Sequence, residues 1–237
     1  MDAGPGSGRH GDLSGTATLA GSGGVPVGAG PVNVTVWERH ARARIAAGDL
    51  LRPPGPPRFS WTRTGTGDPG AALLGDVTGK RVVELGCGTG DNLAYVVDQG
   101  GARGVGVDES PSQIRRARAR WPGFDLRCAG AARFLLTDSE PIHVCYSVFG
   151  AVGLMPAVPL VTLIRRRLTV PGLLAFSVRA PGRVRATPTL RGTRGRWYLH
   201  SPQAWTRLLC NAGFSDVQTR DADTAETPTT LIVTART

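Results

Sequence analysis

A glycine-rich turn between two predicted strands constrains the fold of this chain more than any other feature. The segment VVELGCGTG ends in Gly86, Gly88 and Gly90, which let a backbone pass close to a ligand and direct its amides there. Strands predicted over 81–85 and 104–107 alternate with helices predicted over 91–98 and 111–120. This alternation is typical of a parallel sheet covered by helices.

The pattern outside this segment extends the same α/β architecture. Further strands are predicted over 124–128, 142–149 and 173–178, with helices over 34–51, 160–168 and 202–211 and two closing strands. Residues 1–31 consist mainly of Gly, Ala, Ser and Thr and are predicted to be a disordered tail. We expect residues 32–79 to form a helical cap over the active site. The catalytic domain is predicted over 80–237, with an insertion at 179–197.

The charge of the chain is strongly positive, at +10, yet Lys80 is the only lysine among 28 basic residues. Such a skew toward arginine indicates a GC-rich genome, so we do not expect a nucleic-acid partner from charge alone. The arginines of helix 111–120 are interpreted as solvated. No apolar run suits a membrane span or a signal peptide, so a cytoplasmic protein is expected. No cysteine and histidine spacing suits a zinc site, and none is predicted.

Two carboxylates flank the glycine turn and indicate which ligand it binds. A dinucleotide site needs the spacing G-x-G-x-x-G, whereas here the third glycine comes one residue early and Glu84 precedes the turn. Glu84 would repel a pyrophosphate but suits S-adenosylmethionine, which carries an ammonium and a sulfonium. Asp108 ends the next predicted strand, where it can accept both ribose hydroxyls. The alternative is a tight structural turn, with Asp108 capping the helix that begins at Pro111.

These residues resemble the S-adenosylmethionine-dependent methyltransferases of the Rossmann-like class I. The segment 84–90 matches their first motif and Asp108 their second. WERH at 37–40, YSVFGAVG at 146–153 and WYLHSPQAWTRLLCNAGF at 197–214 are similar to actinobacterial small-molecule methyltransferases of natural-product and antibiotic biosynthesis. The resemblance implies a three-layer sandwich whose seven-stranded sheet is mostly parallel with an antiparallel last strand. It also implies direct methyl transfer that leaves S-adenosylhomocysteine.

The family often places an acid after its third strand, where the acid contacts the adenine amino group. This chain instead reads Cys128-Ala-Gly130-Ala131-Ala132. We therefore expect backbone and apolar contacts around Gly130 and Ala131 to hold the adenine. The predicted cofactor site consists of Glu84, Gly86, Cys87, Gly88, Gly90, Asn92, Asp108, Glu109, Gly130, Ala131, Ala132, Ser147 and Phe149.

The acceptor side of the site is predicted from aromatic, histidine and arginine residues. The candidate catalytic residues are His40, Tyr146 and His200, each of which has a packing or surface role as its alternative. The predicted acceptor-binding residues are Trp37, Trp61, Phe149, Arg179, Arg196, Trp197 and Tyr198. Arginines of the insertion favour an anionic acceptor, since a guanidinium binds carboxylate or phosphate in a fork.

The sequence thus predicts a small-molecule methyltransferase that tailors a natural product by O- or N-methylation, as a monomer or a homodimer. Two alternatives stay open at this point. One is an RNA or DNA methyltransferase, motivated by the positive charge. The other is an S-adenosylmethionine-binding protein without transfer activity, since no residue is clearly a catalytic base.

Overall fold

The fold is described from a computed structural model that covers residues 1, 4, 31–51, 54–181, 189–190, 193–194, 197–224 and 227–237. The predicted tail lies outside the described residues, apart from residues 1 and 4 and from Pro31, which begins a helix. Most of the predicted insertion, including Arg196, also lies outside them.

The described elements alternate between helix and strand through most of the chain. The helices are α1 (Pro31–Ala46), α2 (Asp91–Asp98), α3 (Pro111–Arg120), α4 (Ala131–Thr137), α5 (Ala151–Leu154), α6 (Ala157–Arg167) and α7 (Pro202–Asn211). Two 3-10 helices span Asp49–Leu51 and Gly70–Leu74. The strands are β1 (Arg81–Leu85), β2 (Arg103–Asp108), β3 (Asp125–Cys128), β4 (Ile142–Val148), β5 (Leu168–Arg179), β6 (Thr189–Leu190), β7 (Thr193–Arg194), β8 (Ser215–Thr224) and β9 (Thr227–Arg236).

Seven of these strands form one sheet in the order β3-β2-β1-β4-β5-β9-β8. Strands β1 to β5 pair in parallel, whereas β9 is antiparallel to both of its neighbours. The connection between β8 and β9 is too short for a crossover, so the two strands must pair antiparallel. The predicted sheet, mostly parallel with an antiparallel last strand, is confirmed.

Local sequence explains where two of the main helices begin. Ser110 precedes Pro111, and its hydroxyl accepts a hydrogen bond from the Gln113 amide at the start of α3. Ser201 precedes Pro202 and caps α7 through the Ala204 amide in the same way. A serine cap followed by proline at the first helical position satisfies one free amide and removes another. Both helices begin where the sequence predicts.

Apolar side chains cover both faces of the sheet and make the structure three-layered. One face packs against α4, α6 and α7 through Phe134, Leu160 and Trp205. The other packs against α2 and α3 in part, and against residues 59–77 around the buried Trp61. Within the described residues, no helix is both long enough and apolar enough to cross a bilayer. The carboxyl ends of the parallel strands are left to form the site.

Candidate functional site

A cavity of about 370 Å³ opens at the carboxyl ends of β1, β2 and β4. The strand order reverses between β1 and β4, and parallel sheets bind ligands at such a reversal. Its volume lies within the usual range for small-molecule sites. The lining residues are Trp37, His40, Glu84, Gly86, Cys87, Gly88, Thr89, Asn92, Val107, Asp108, Glu109, Ser110, Gln113, Arg116, Ala129, Ala131, Val148, Phe149, Gly150, Ala151, Leu154 and Met155.

The glycines of the turn provide space rather than hydrogen-bond donors. Gly86 has φ +79°, and a Cβ there would lie 2.8 Å from the Gly150 Cα and from the Ala151 nitrogen. The amides of Gly86 and Cys87 donate to the Val107 carbonyl, and that of Gly88 donates to Asp108. The expectation that the turn directs these amides at the ligand is therefore wrong. Gly90 packs near Trp121 and does not line the cavity.

Asp108 is held in place by the turn that it faces. Its two carboxylate oxygens accept the Gly88 and Ser110 amides, each at 2.9 Å. Burial raises its pKa, and the two amide hydrogen bonds oppose that rise. Each oxygen keeps a second lone pair for a hydroxyl donor on a ligand. Since Ser110 caps α3, the alternative role of Asp108 as the helix cap does not fit.

Glu84 is a buried carboxyl on the cavity wall, only 2% exposed. The Tyr146 hydroxyl donates to its Oε2 at 3.2 Å. Burial raises the pKa of Glu84 to about 8, although hydrogen bonds from Tyr146 and Asn92 partly oppose the rise. The carboxyl is therefore largely protonated at neutral pH and needs a nearby cation in order to ionise.

Tyr146 and Trp61 are core residues that do not line the cavity. Both side chains are fully buried, and their ring centroids lie 6.2 Å apart. The Trp61 indole donates to the Gly70 carbonyl at 2.8 Å. Neither residue lines the cavity, so their predicted contacts with an acceptor are corrected to structural roles. Alternation along β4 turns Tyr146 toward Glu84 and into the core.

Helix α1 covers one side of the cavity with Trp37 and His40, whose rings meet edge to face at 6.0 Å. Glu38 holds this helix against α3, because it accepts hydrogen bonds from the Ser110 hydroxyl at 2.7 Å and the Ser112 amide at 3.0 Å. These bonds outweigh its desolvation and lower its pKa to about 2. Of the predicted cap 32–79, α1 supplies the cavity wall, whereas residues 59–77 pack on the sheet.

Two basic groups face the cavity from α1 and α3. Partial burial and repulsion by Arg116 lower the pKa of His40, so its imidazole is neutral at pH 7. Arg116 is buried, with its Nε 2.7 Å from Asp49 and its Nη1 2.6 Å from the Gln113 side chain. The prediction that the arginines of this helix are solvated is thus wrong for Arg116. Its burial follows from the packing of α1 on α3, which sequence spacing does not reveal.

Phe149 bounds the cavity at the end of β4 in an unusual backbone conformation. Its φ is +46°, which is rare for a bulky side chain, and its amide donates to the Ser177 carbonyl at 2.9 Å. Such strain persists only where the surroundings impose it, and it is common at ligand sites. Ser147 was also predicted to bind the cofactor, but its hydroxyl donates to the Leu85 carbonyl within the core.

Part of the cavity lining is apolar. Ala129, Ala131, Leu154 and Met155 line it, together with the half-buried Glu109. Ala132 points into the core and is fully buried, so its predicted contact with the cofactor is wrong. Helix α4 begins at Ala131, where the sequence analysis predicted no helix.

Of the remaining predicted acceptor residues, Arg179, Trp197 and Tyr198 lie outside the lining of this cavity. Arg179 places its guanidinium 4.9 Å from the Trp197 ring, beyond the end of β5. The Tyr198 amide donates to the Gly153 carbonyl at 2.9 Å. His200 packs against Trp205 at 4.8 Å, which does not fit the predicted role as a base in this cavity.

Comparisons with known proteins agree with this geometry. Residues 82–172 match the methyltransferase domain family. A curated relative, trans-aconitate 2-methyltransferase of Rhizobium rhizogenes, is 35% identical over 68 residues. The match covers 28% of this chain and about a quarter of that enzyme, 26%.

Solved structures share the fold at low sequence identity. A S-adenosylmethionine-dependent methyltransferase of Mesorhizobium loti is 21% identical, with a TM-score of 0.54, and the match covers 70% of this chain and 94% of that one. The 1,6-didemethyltoxoflavin-N1-methyltransferase of Burkholderia thailandensis is 19% identical, with a TM-score of 0.59, over 85% of this chain and 87% of that one. The chain therefore has the fold of class I methyltransferases.

Proposed function

We propose that this protein is a S-adenosylmethionine-dependent methyltransferase that acts on a small molecule. The observation that carries the proposal is the pair of carboxyl groups, the buried Glu84 and the partly buried Asp108, that face one cavity at the strand reversal. Hydrogen bonds from the protein only partly oppose the cost of burying these carboxyl groups, and both pKa values are raised, so a ligand that supplies a cation or further hydrogen-bond donors would stabilise them. The match of residues 82–172 to the methyltransferase domain family supports the same function.

The polar groups of the cavity fit the functional groups of this cofactor. The Glu84 carboxylate complements the ammonium, and Asp108 has free lone pairs for the ribose hydroxyls. Arg116 also lines the cavity, and its second terminal nitrogen, Nη2, which neither Asp49 nor Gln113 engages, is suited to the cofactor carboxylate. Ala129, Ala131 and Met155 provide an apolar wall for the adenine.

When bound, the cofactor would supply a sulfonium-bound methyl group for transfer to a lone pair of the acceptor, leaving S-adenosylhomocysteine. Trp37 and Phe149 lie on the cavity wall, where they exclude water and orient the acceptor. The neutral imidazole of His40 faces the same cavity and can take the proton that an oxygen or nitrogen acceptor releases. His40 is therefore the proposed base.

An anionic natural product is the acceptor class that we propose. Among the described residues, no carboxylate lies within ion-pair distance of Arg179, which stacks on Trp197 at 4.9 Å near the end of β5. The positive charge of Arg63 acts on Arg179 and adds to the positive potential there. The curated relative is named for trans-aconitate, an acidic small molecule. A cytoplasmic location and a monomeric or homodimeric state stay predictions from the sequence.

A nucleic-acid acceptor is less compatible with how the arginines are arranged. Nine arginines of the described residues form ion pairs with carboxylates, which reduces the net potential of the surface. Arg116 and Arg81 are buried, so neither is available to a phosphate backbone on the surface. An electrophoretic shift of RNA or DNA that persists at about 200 mM salt would favour this alternative.

Calorimetric titration with S-adenosylhomocysteine tests the proposed cofactor site. We expect wild-type protein to bind and Asp108→Asn to bind roughly 10-fold or more weakly, because the amide replaces one acceptor by a donor. Asp98→Asn, which removes an exposed charge at the end of α2, is the matched control. If wild-type protein does not bind, or if both variants bind like wild type, the proposal is wrong.

Incubation with methyl-labelled S-adenosylmethionine and a set of small organic acids then tests transfer. Labelled product supports the proposed methyltransferase activity if its formation depends on His40 or on other residues of the cavity. Tight binding with no product from any acid, or from an extract of the source organism, favours the alternative of a binding protein without transfer activity.

A further inference from the structure

Glu109 is a carboxylate on the cavity wall without a partner among the described residues. It follows β2 directly, lines the cavity and is half-buried. Burial raises its pKa, and the neighbouring charge of Asp108 adds to the rise. Its carboxylate is therefore free to accept a hydrogen bond from a ligand in the cavity.

The surroundings of Glu109 define what that ligand group is attached to. Ala129, Ala131 and Met155 are apolar residues that line the same cavity. A Cβ on Gly130 would lie 3.5 Å from the Glu109 carboxyl carbon and from its Oε1, an ordinary contact distance, so position 130 lies directly beside this carboxylate. Apolar lining residues together with one hydrogen-bond acceptor suit a flat heterocycle that carries an exocyclic amine.

We propose that Glu109 accepts a hydrogen bond from the 6-amino group of the cofactor's adenine and thereby selects adenine over hypoxanthine. The inference rests on the proposed function, because the ribose at Asp108 brings the base to the next residue along the wall. It also revises the expectation that only backbone and apolar contacts hold the adenine. The acid that the family carries after its third strand is replaced here by one that follows the second strand.

The test compares two ligands that differ at one position of the base. S-adenosylhomocysteine carries an amine at C6, whereas S-inosylhomocysteine carries a carbonyl oxygen there. Calorimetry of wild-type protein should give a preference for the adenine ligand of roughly 10- to 100-fold, as for a hydrogen bond to a charged group. Asp98→Asn, which removes a distant exposed charge, should keep that preference.

Two substitutions of Glu109 have different expected effects. Glu109→Leu removes the acceptor, so the preference should fall to within about threefold, mainly by loss of affinity for the adenine ligand. Glu109→Gln keeps an acceptor and adds an NH₂ donor that can reach the inosine carbonyl. Its affinity for S-inosylhomocysteine should therefore exceed that of wild type.

A double variant tests whether the presence of a carboxylate at this place, rather than Glu109 itself, determines the preference for adenine. Glu109→Leu combined with Gly130→Asp returns a carboxylate from the position next to the Glu109 carboxyl group. Gly130 has φ −66° and ψ 140° and precedes α4, a position that aspartate favours as a helix cap. The substitution should fold and restore at least part of the preference for adenine.

The outcomes separate this inference from the function on which it rests. If wild-type protein binds S-adenosylhomocysteine without preferring it, or if Glu109→Leu keeps the full preference, the assignment of Glu109 is wrong and the proposed function stands. If wild-type protein binds neither ligand, both proposals fail.

Discussion

The ionisation of Glu84 should couple cofactor binding to the release of a proton. Its pKa of about 8 in the free protein means that only about one carboxyl in ten is ionised at pH 7. Pairing with the ligand's ammonium requires the ionised form. Ionising this group costs about 1.4 kcal/mol at pH 7 and about 2.7 kcal/mol at pH 6, since each pKa unit corresponds to about 1.36 kcal/mol.

The affinity for S-adenosylhomocysteine should therefore rise about tenfold between pH 6 and pH 7 and level off above about pH 8. Calorimetry at each pH in two buffers with different heats of ionisation measures the protons released, which should be close to 0.9 at about pH 7. The other titratable groups near Glu84 are the acids Tyr146, Cys87, Asp91 and Asp108, and His40 and Glu109 line the same cavity.

Glu84→Gln separates Glu84 from these neighbours, because the amide cannot titrate. The variant should bind more weakly above pH 8 and lose most of its pH dependence between pH 6 and 8. Asp98→Asn should behave like wild type. A wild-type affinity that is constant from pH 6 to 8, or a slope that persists in Glu84→Gln, would refute the reasoning.

Three further predictions concern the free protein, each measured by chemical denaturation. Folded Glu84 keeps its proton between about pH 4.5 and 8, whereas the unfolded chain loses it, so this group lowers the free energy of unfolding as pH rises, by at most about 5 kcal/mol. The free energy of unfolding of Glu84→Gln should fall less than that of wild type over this range. Parallel curves of stability against pH for the two proteins would contradict this. Asp49→Asn leaves the buried Arg116 without its charge partner and should cost about 3–5 kcal/mol, whereas a loss below about 1 kcal/mol would mean that the pair is solvated. Gly86 has a left-handed backbone conformation, and Gly86→Ala would place a Cβ 2.8 Å from the Gly150 Cα. The variant should therefore be destabilised by more than about 2 kcal/mol and should lose cofactor binding. A variant as stable as wild type would show that the turn can shift to make room.

Features that depend on neighbours in the chain were predictable from the sequence. The serine and proline pairs at Ser110 and Ser201 predict where α3 and α7 begin, and the structure agrees because a cap uses only local hydrogen bonds. Glu84 is the last but one residue of β1 and Asp108 the last residue of the adjacent parallel β2, so their approach to one cavity follows from the alternation of strands and helices. Helix α4 was missed because a short helix directly after a strand has too few turns to show a period.

Features that depend on which elements touch were decided by the tertiary structure. Tyr146 and Trp61 are aromatic and lie near predicted site segments, yet the packing of residues 59–77 on the sheet buries both. Arg116 resembles its solvated neighbours in sequence, and only the contact of the 3-10 helix Asp49–Leu51 with α3 pairs it with Asp49.

The glycine turn illustrates the same division. Its sequence determined the positive φ values and the close approach of Gly86 to the loop after β4, since only glycine lacks the Cβ that would collide. The partners of its amides were decided by the fold, because β2 brings the Val107 carbonyl and the Asp108 carboxylate to them before any ligand can. Local sterics can be read from residue types, whereas hydrogen-bond partners distant in sequence require the packed strands.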